Sequence, residues 1–239
     1  MSKLKTFISG IKRALFNSGW TCNACGREIF SGYFCEDCLK KIEKIGENKC
    51  EHCGRITPYK TGYCDSCVDK NINFDIARSV YCYSPPLSYI IQNFKYDNFR
   101  YHAEFFAKEM FDLYNREGFN CDFVTFVPMS EKRLIKRGYN HAKLLAEEFS
   151  NLSNLEVIEC LEKTRETENQ ANLSYQERVK NLQGSFKADK RLVKDKSVLL
   201  IDDVLTTGST TDVVSRVLKK AGARKVSVLT VASVSKKVD

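Results

Sequence analysis

No apolar stretch in this 239-residue chain approaches the roughly 20 residues that a membrane-spanning helix requires. Prolines number only four and no segment is of low complexity, so the composition is that of an ordinary globular protein. Neither a Gly-x-x-x-x-Gly-Lys loop nor a Gly-x-Gly-x-x-Gly fingerprint occurs, which excludes the usual P-loop and dinucleotide-binding classes. No secretory leader is expected: Lys12 and Arg13 interrupt any apolar core, and no small-residue cleavage site follows. The expectation is a cytoplasmic protein with one substantial domain and one small one.

Cysteine, by contrast, is abundant, with 11 residues. Eight of them form four Cys-x-x-Cys pairs: Cys22 and Cys25, Cys35 and Cys38, Cys50 and Cys53, Cys64 and Cys67. Without a leader, such pairs favour metal over disulfides. The pairs repeat, CNACGR against CEHCGR and GYFCEDC against GYCDSC. Gly26 and Gly54 follow the second cysteine, where a tight knuckle needs a permissive backbone. Two closed four-thiolate zinc sites, structural because they leave no position for water, are expected. Sequential and cross-braced pairings both satisfy the spacing. His52 falls inside a pair whose sulfurs already fill the site, and reads as a spectator. Leu39 to Ile45 reads as a short basic helix between the two units. Cys82, Cys121 and Cys160 stand alone and read as ordinary thiols. The formal charge is +8; eight thiolates and two zinc ions lower it to about +4, a weak case for nucleic acid on charge alone.

Leu4 to Phe16 has an amphipathic, basic helical pattern that either packs on the protein's own core or approaches an anionic membrane surface. Beyond Lys70 the composition changes. Ile76 to Tyr83 reads as a strand ended by Pro85-Pro86, and Leu87 to Phe94 and Arg100 to Tyr114 as helices. Phe123 to Val127 is a β run stopped by Pro128. Met129 to His141 follows at that strand's carboxyl end and is either a basic loop whose cations neutralise a leaving pyrophosphate or a solvated basic helix. Lys163 to Gln176 is polar without a core stripe, and is either a closing lid or an exposed connection.

Val198 to Thr211, VLLIDDVLTTGSTT, organises the rest. Val198 to Ile201 reads as a strand buried on both faces, with Asp202 and Asp203 at its carboxyl end. A small-residue loop, Thr206-Thr207-Gly208-Ser209-Thr210, opens a helix with apolar residues at Val213, Val214, Val217, Leu218 and Ala221. A second strand, Val226 to Val231, returns after it, completing a right-handed crossover. Loop amides at a helix start attract an anion, while two carboxylates prefer hydroxyl donors. A ribose phosphate offers both groups.

This stretch resembles the phosphoribosyl-pyrophosphate signature of type I phosphoribosyltransferases. The resemblance implies that Asp202 and Asp203 hold the ribose hydroxyls and that Thr206, Thr207, Gly208, Ser209 and Thr210 hold the 5′-phosphate. Thr206 stands where hypoxanthine–guanine members carry an Asp that contacts the base. Nearly the whole chain resembles the ComF family, through the paired cysteines, the Val-Pro strand end, Arg137-Gly138-Tyr139-Asn140, the series Gln170, Leu173, Arg178, Asn181, Gly184 and Phe186, and the Asp202-Asp203 loop. His141 departs from the Gln usual after that Asn.

The expected fold is therefore α/β. Residues 1–70 form an N-terminal helix and double zinc ribbon, and residues 71–239 a parallel-sheet phosphoribosyltransferase-like domain. Lys132, Arg133 and Arg137 are assigned to the pyrophosphate, with Mg²⁺ bridging ribose and pyrophosphate oxygens. The resemblance further implies a role in natural transformation on incoming single-stranded DNA. Three readings stand: a DNA-handling factor with a phosphoribosyl-pyrophosphate pocket, an active transferase, and an interaction protein docking DNA-uptake machinery through its ribbons. No general acid or base is evident in the sequence.

Overall fold

The structure, a computed structural model, describes residues 21–58, 62–68, 71–96, 102–167 and 174–234. The Leu4 to Phe16 pattern, Gln170 and Leu173 lie outside the described residues. Two short helices, α1 (Glu36–Leu39) and α2 (Asp65–Val68), each carry the last cysteine of a metal unit. Strand β1 (Ile76–Cys82) follows, then helices α3 (Leu87–Tyr96) and α4 (His102–Arg116), strand β2 (Phe123–Phe126), and helices α5 (Glu131–Arg137) and α6 (His141–Ser153). The chain continues through β3 (Leu161–Lys163), α7 (Tyr175–Leu182), β4 (Phe186–Ala188) and α8 (Lys190–Val193). It ends with β5 (Ser197–Leu205), α9 (Ser209–Lys220) and β6 (Lys225–Ser233).

Four strands form one parallel sheet in the order β1-β6-β5-β2, while β3 and β4 pair antiparallel as a separate ribbon. The central strands β5 and β6 read as near-continuous apolar runs because both faces are covered. On one face Leu199, Ile201 and Leu229 pack with α3, α4 and α6 through Phe94, Phe106, Met110 and Phe149. On the other, Val198, Leu200 and Val228 pack with Val214 and Leu218 of α9.

The two cysteine units divide between these cores. Cys22, Phe34 and Cys38 join the first, and Cys50, Cys53 and Cys67 the second. Their connection covers the exposed edge of β1: Ile45 N–H donates to Val80 O at 2.9 Å and Cys82 N–H to Glu43 O at 2.9 Å. An uncovered edge strand is a template for unwanted pairing. That pairing corrects the helix expected over Leu39 to Ile45. The backbone groups of 43–45 serve the sheet edge instead, and only Glu36–Leu39 is helical.

Candidate functional site

The metal units are sequential, since Cys22, Cys25, Cys35 and Cys38 converge in one group and Cys50, Cys53, Cys64 and Cys67 in the other. The Cys25–Cys35 and Cys53–Cys64 sulfurs are 3.8 and 3.6 Å apart. A disulfide would need about 2.05 Å. A tetrahedron of four thiolates about 2.3 Å from zinc has edges of about 3.8 Å, so the residues fit the ion. Matching turns shape both knuckles: Gly26 N–H donates to Cys22 O at 2.8 Å and Gly54 N–H to Cys50 O at 2.9 Å. Both glycines have positive φ, 74° and 69°, where a side chain would be strained. His52 does more than fill space. Its Nε2–H donates to Phe74 O at 2.7 Å, fastening the second knuckle beside β1.

A cavity of about 520 Å³ opens at the carboxyl ends of β5 and β2, where ligands of open parallel sheets bind. Strand β5 runs to Leu205, so Asp202 and Asp203 lie inside it rather than after it. Asp203 is 5% exposed. Its Oδ2 meets Lys95 Nζ at 2.7 Å and His141 Nε2 at 3.0 Å. Burial alone would raise the Asp203 carboxyl; the Lys95 ammonium and the hydrogen bond from His141 override it and hold the group well below the usual carboxylate range. Burial, then the Asp203 charge, pushes neighbouring Asp202 upward. Two adjacent carboxylates thus have opposite environments, one neutralised and one not.

Within Met129 to His141 the structure forms a short helix, α5, over Glu131–Arg137, and the turn after it leads into α6. Helix α5 ends at Gly138 in the left-handed conformation, and Asn140 caps α6 by accepting from Ala142 N–H at 3.0 Å and Lys143 N–H at 3.3 Å. Asn140 also donates to Val127 O at 3.1 Å, and Tyr139 O–H donates to Phe94 O. The Arg-Gly-Tyr-Asn motif therefore fixes the turn that brings α5 over the cavity. Arg133 and Arg137 line it together with Lys136; Lys132, expected beside them, is exposed and outside the lining.

The Thr206–Thr210 loop divides between two faces. Thr206 and Thr210 face the cavity, while Thr207 and Gly208 line a narrow seam against Cys53, Arg55 and Phe74 of the second knuckle. Ser209 is buried. Gly208, φ 82°, rather than a side-chain cap, opens α9. The first-turn N–H groups of any helix lack intrahelical partners, which suits an anion there.

Sequence comparison is consistent with both parts of this architecture. A double zinc ribbon domain profile matches residues 12–68 and a phosphoribosyl transferase domain profile residues 136–239. The competence protein F of Haemophilus influenzae is 31% identical over 209 residues, spanning 81% of this chain and 87% of that one. The chain belongs to the competence protein F (ComF) family. Another relative, the competence protein ComFC of Streptococcus pneumoniae, is 27% identical, covering 80% of this chain and 84% of that one. The DNA utilization protein YhgH of Escherichia coli K12 is 26% identical, covering 87% and 94%.

Several groups in this ComF-family cavity were not assigned from sequence. Lys95 comes from α3 and Lys163 from β3, and Arg178 of α7 completes the cationic wall. Lys163 Nζ sits 5.3 Å above the Phe186 ring. Burial, and then the Arg133 charge, pushes the Lys163 ammonium down to about 8. Nothing local distinguishes Lys95 and Lys163 from solvated surface charges, and Arg178 was marked only as part of the family series, without a role; strand position and helix register bring them in. No helix among the described residues is long and apolar enough to cross a membrane.

Proposed function

We propose that the cavity binds phosphoribosyl pyrophosphate with Mg²⁺, and that the protein uses this pocket in handling incoming single-stranded DNA during natural transformation. The observation that carries the reading is one cavity joining a carboxylate pair to six cationic side chains, Lys95, Arg133, Lys136, Arg137, Lys163 and Arg178. A sugar hydroxyl donates to carboxylate, and a pyrophosphate needs several cations at once. Asp202 and Asp203 would hold the ribose hydroxyls, Arg133 and Arg137 the pyrophosphate, and the Thr206–Thr210 loop the 5′-phosphate. Hard carboxylate oxygens suit Mg²⁺, whose bound charge would neutralise the pyrophosphate. The DNA part rests on family membership and on the relatives' names, competence protein and DNA utilization protein.

An active phosphoribosyltransferase is the second reading. It is favoured by Lys163, which at about 8 exchanges its proton near neutrality, as a general base must. Calorimetry with phosphoribosyl pyrophosphate and Mg²⁺ is the first test, and absence of binding by the metal-loaded protein rejects the pocket assignment. A pyrophosphate-release screen over bases and single-stranded DNA then separates the two readings. Binding without release supports handling, and acceptor-dependent release supports transfer.

A further inference from the structure

The two knuckles carry the same hexapeptide pattern, yet their final arginines have different fates. Arg27 of the first is exposed and pairs with Asp37 at 2.5 Å. Arg55 of the second is 8% exposed, and its Nη2–H donates to the carbonyl of Thr206 at 2.6 Å, across 151 positions of sequence. Cys50 N–H donates to Arg55 O at 2.7 Å, so the backbone of Arg55 is part of the metal knuckle itself. Gly208 lies so close that an added Cβ would stand 3.4 Å from Arg55 Nη2. The knuckle is in turn held rigidly to the sheet. Ala77 N–H donates to His52 O at 2.7 Å, and a Cβ on Gly54 would sit 2.5 Å from Ala77 O.

We propose that Arg55 is a positioning residue for the Thr206–Thr210 loop, and that it couples the cavity's grip on an anionic sugar ligand to the integrity of the second cysteine site. This rests on the phosphoribosyl-pyrophosphate reading for the ligand, but not for the loop. Packing alone does not account for an arginine here. The Nε–H of Arg55 is buried without an acceptor among the described residues, an arrangement that an apolar chain of similar length would avoid. Its guanidinium donates to a carbonyl of the loop, while its charge also acts on the Cys53 thiol of the knuckle. Asp212, near the start of α9, is tied from the same side: Asn73 donates to it twice at 2.7 Å, from its backbone N–H and from Nδ2. Both ends of the turn therefore lean on residues that flank the second knuckle. Loss of its metal would release Thr206 and leave the loop to be ordered by the ligand, at a cost in affinity.

The test compares zinc-loaded wild type, Arg55→Ala, Arg55→Lys and Arg27→Ala. Zinc content, amide resonances of the Thr206–Ser209 loop and calorimetry with phosphoribosyl pyrophosphate and Mg²⁺ are measured on each. Arg55→Ala should keep both zinc ions, shift the loop amides and bind at least tenfold more weakly. Arg55→Lys should recover part of the affinity, and Arg27→Ala should match wild type. Unmoved loop amides in Arg55→Ala, or an equal loss in Arg27→Ala, overturn the proposal. Should Arg55→Ala lose zinc, Arg55→Lys decides by the same two readouts. Should wild type not bind, the ligand reading fails alone, and the loop resonances still decide whether Arg55 positions the turn.

Discussion

Lys95 Nζ lies 2.7 Å from Asp203 Oδ2, joining the last turn of α3 to the centre of β5. His141 takes the same oxygen from the start of α6. Asp203 is thus charged and compensated before any ligand arrives, while Asp202 beside it forms no ion pair of its own among the described residues and is pushed toward its neutral form by burial and by Asp203, against a smaller opposing pull from Lys95.

A first consequence concerns stability. A carboxyl whose folded pKa is raised binds more protons folded than unfolded, so its contribution is lost as pH rises above about 4 through the raised value. Asp202→Asn should therefore stabilise the ligand-free protein at pH 8 by on the order of 1 kcal/mol and have little effect at pH 4. Urea titrations of both proteins at the two pH values check this, and an equal effect at both contradicts it.

Ligand binding should move the other way. Asp202→Asn with Asp203→Asn should weaken phosphoribosyl-pyrophosphate binding by about a hundredfold or more, two charge-assisted bonds being worth roughly 1.5–3 kcal/mol each. Gly208→Val should also bind poorly, because its φ of 82° strains a side chain and its Cβ would press on Arg55. Unchanged affinity in the double variant, measured by calorimetry, would move the site.

Affinity should depend on pH through Lys163. Its ammonium is held near 8, so an anionic ligand favours the form present below that value and is bound less tightly as pH rises through it. Lys163→Met should be weaker at pH 7 and should flatten the profile between pH 7 and 9. A wild-type profile already flat over that range would rule out this role.

Single-stranded DNA gives a salt test. Each lost phosphate contact should reduce the slope of log K against log salt by about 0.7. Replacing Arg133, Lys136 and Arg137, which line the cavity, should flatten the slope more than replacing Lys132 alone. If the triple variant keeps the wild-type slope, the DNA path lies on another surface.

Elemental analysis should find two zinc ions per chain, one for each group of four cysteines. Cys25→Ser should cost one ion and leave the Thr206–Ser209 loop resonances in place. Cys53→Ser should cost one ion and disturb them, since that knuckle carries Arg55. Fewer than two ions in protein prepared with ample zinc would contradict the assignment.

The sequence by itself determined the elements whose information is local. Val198 to Ile201, a short β-branched and apolar run ending in two acids, reads as a strand covered on both sides, and cysteines separated by two residues with a following glycine make a knuckle through their own backbone. The Asp202-Asp203 pair and the Thr-Thr-Gly-Ser-Thr turn were legible for the same reason: chemistry and spacing lie within one short stretch. Tertiary structure decided what required distant segments to meet. Sequential pairing of the cysteines, the use of residues 43–45 as an edge to β1, and the extension of β5 past both acids depend on neighbours in the sheet. Lys95, His141 and Arg55 reach the site from separate elements, Arg55 across 151 positions. No periodicity marks such residues, because burial against the site is a property of the packed sheet and helices and not of the segment that carries them.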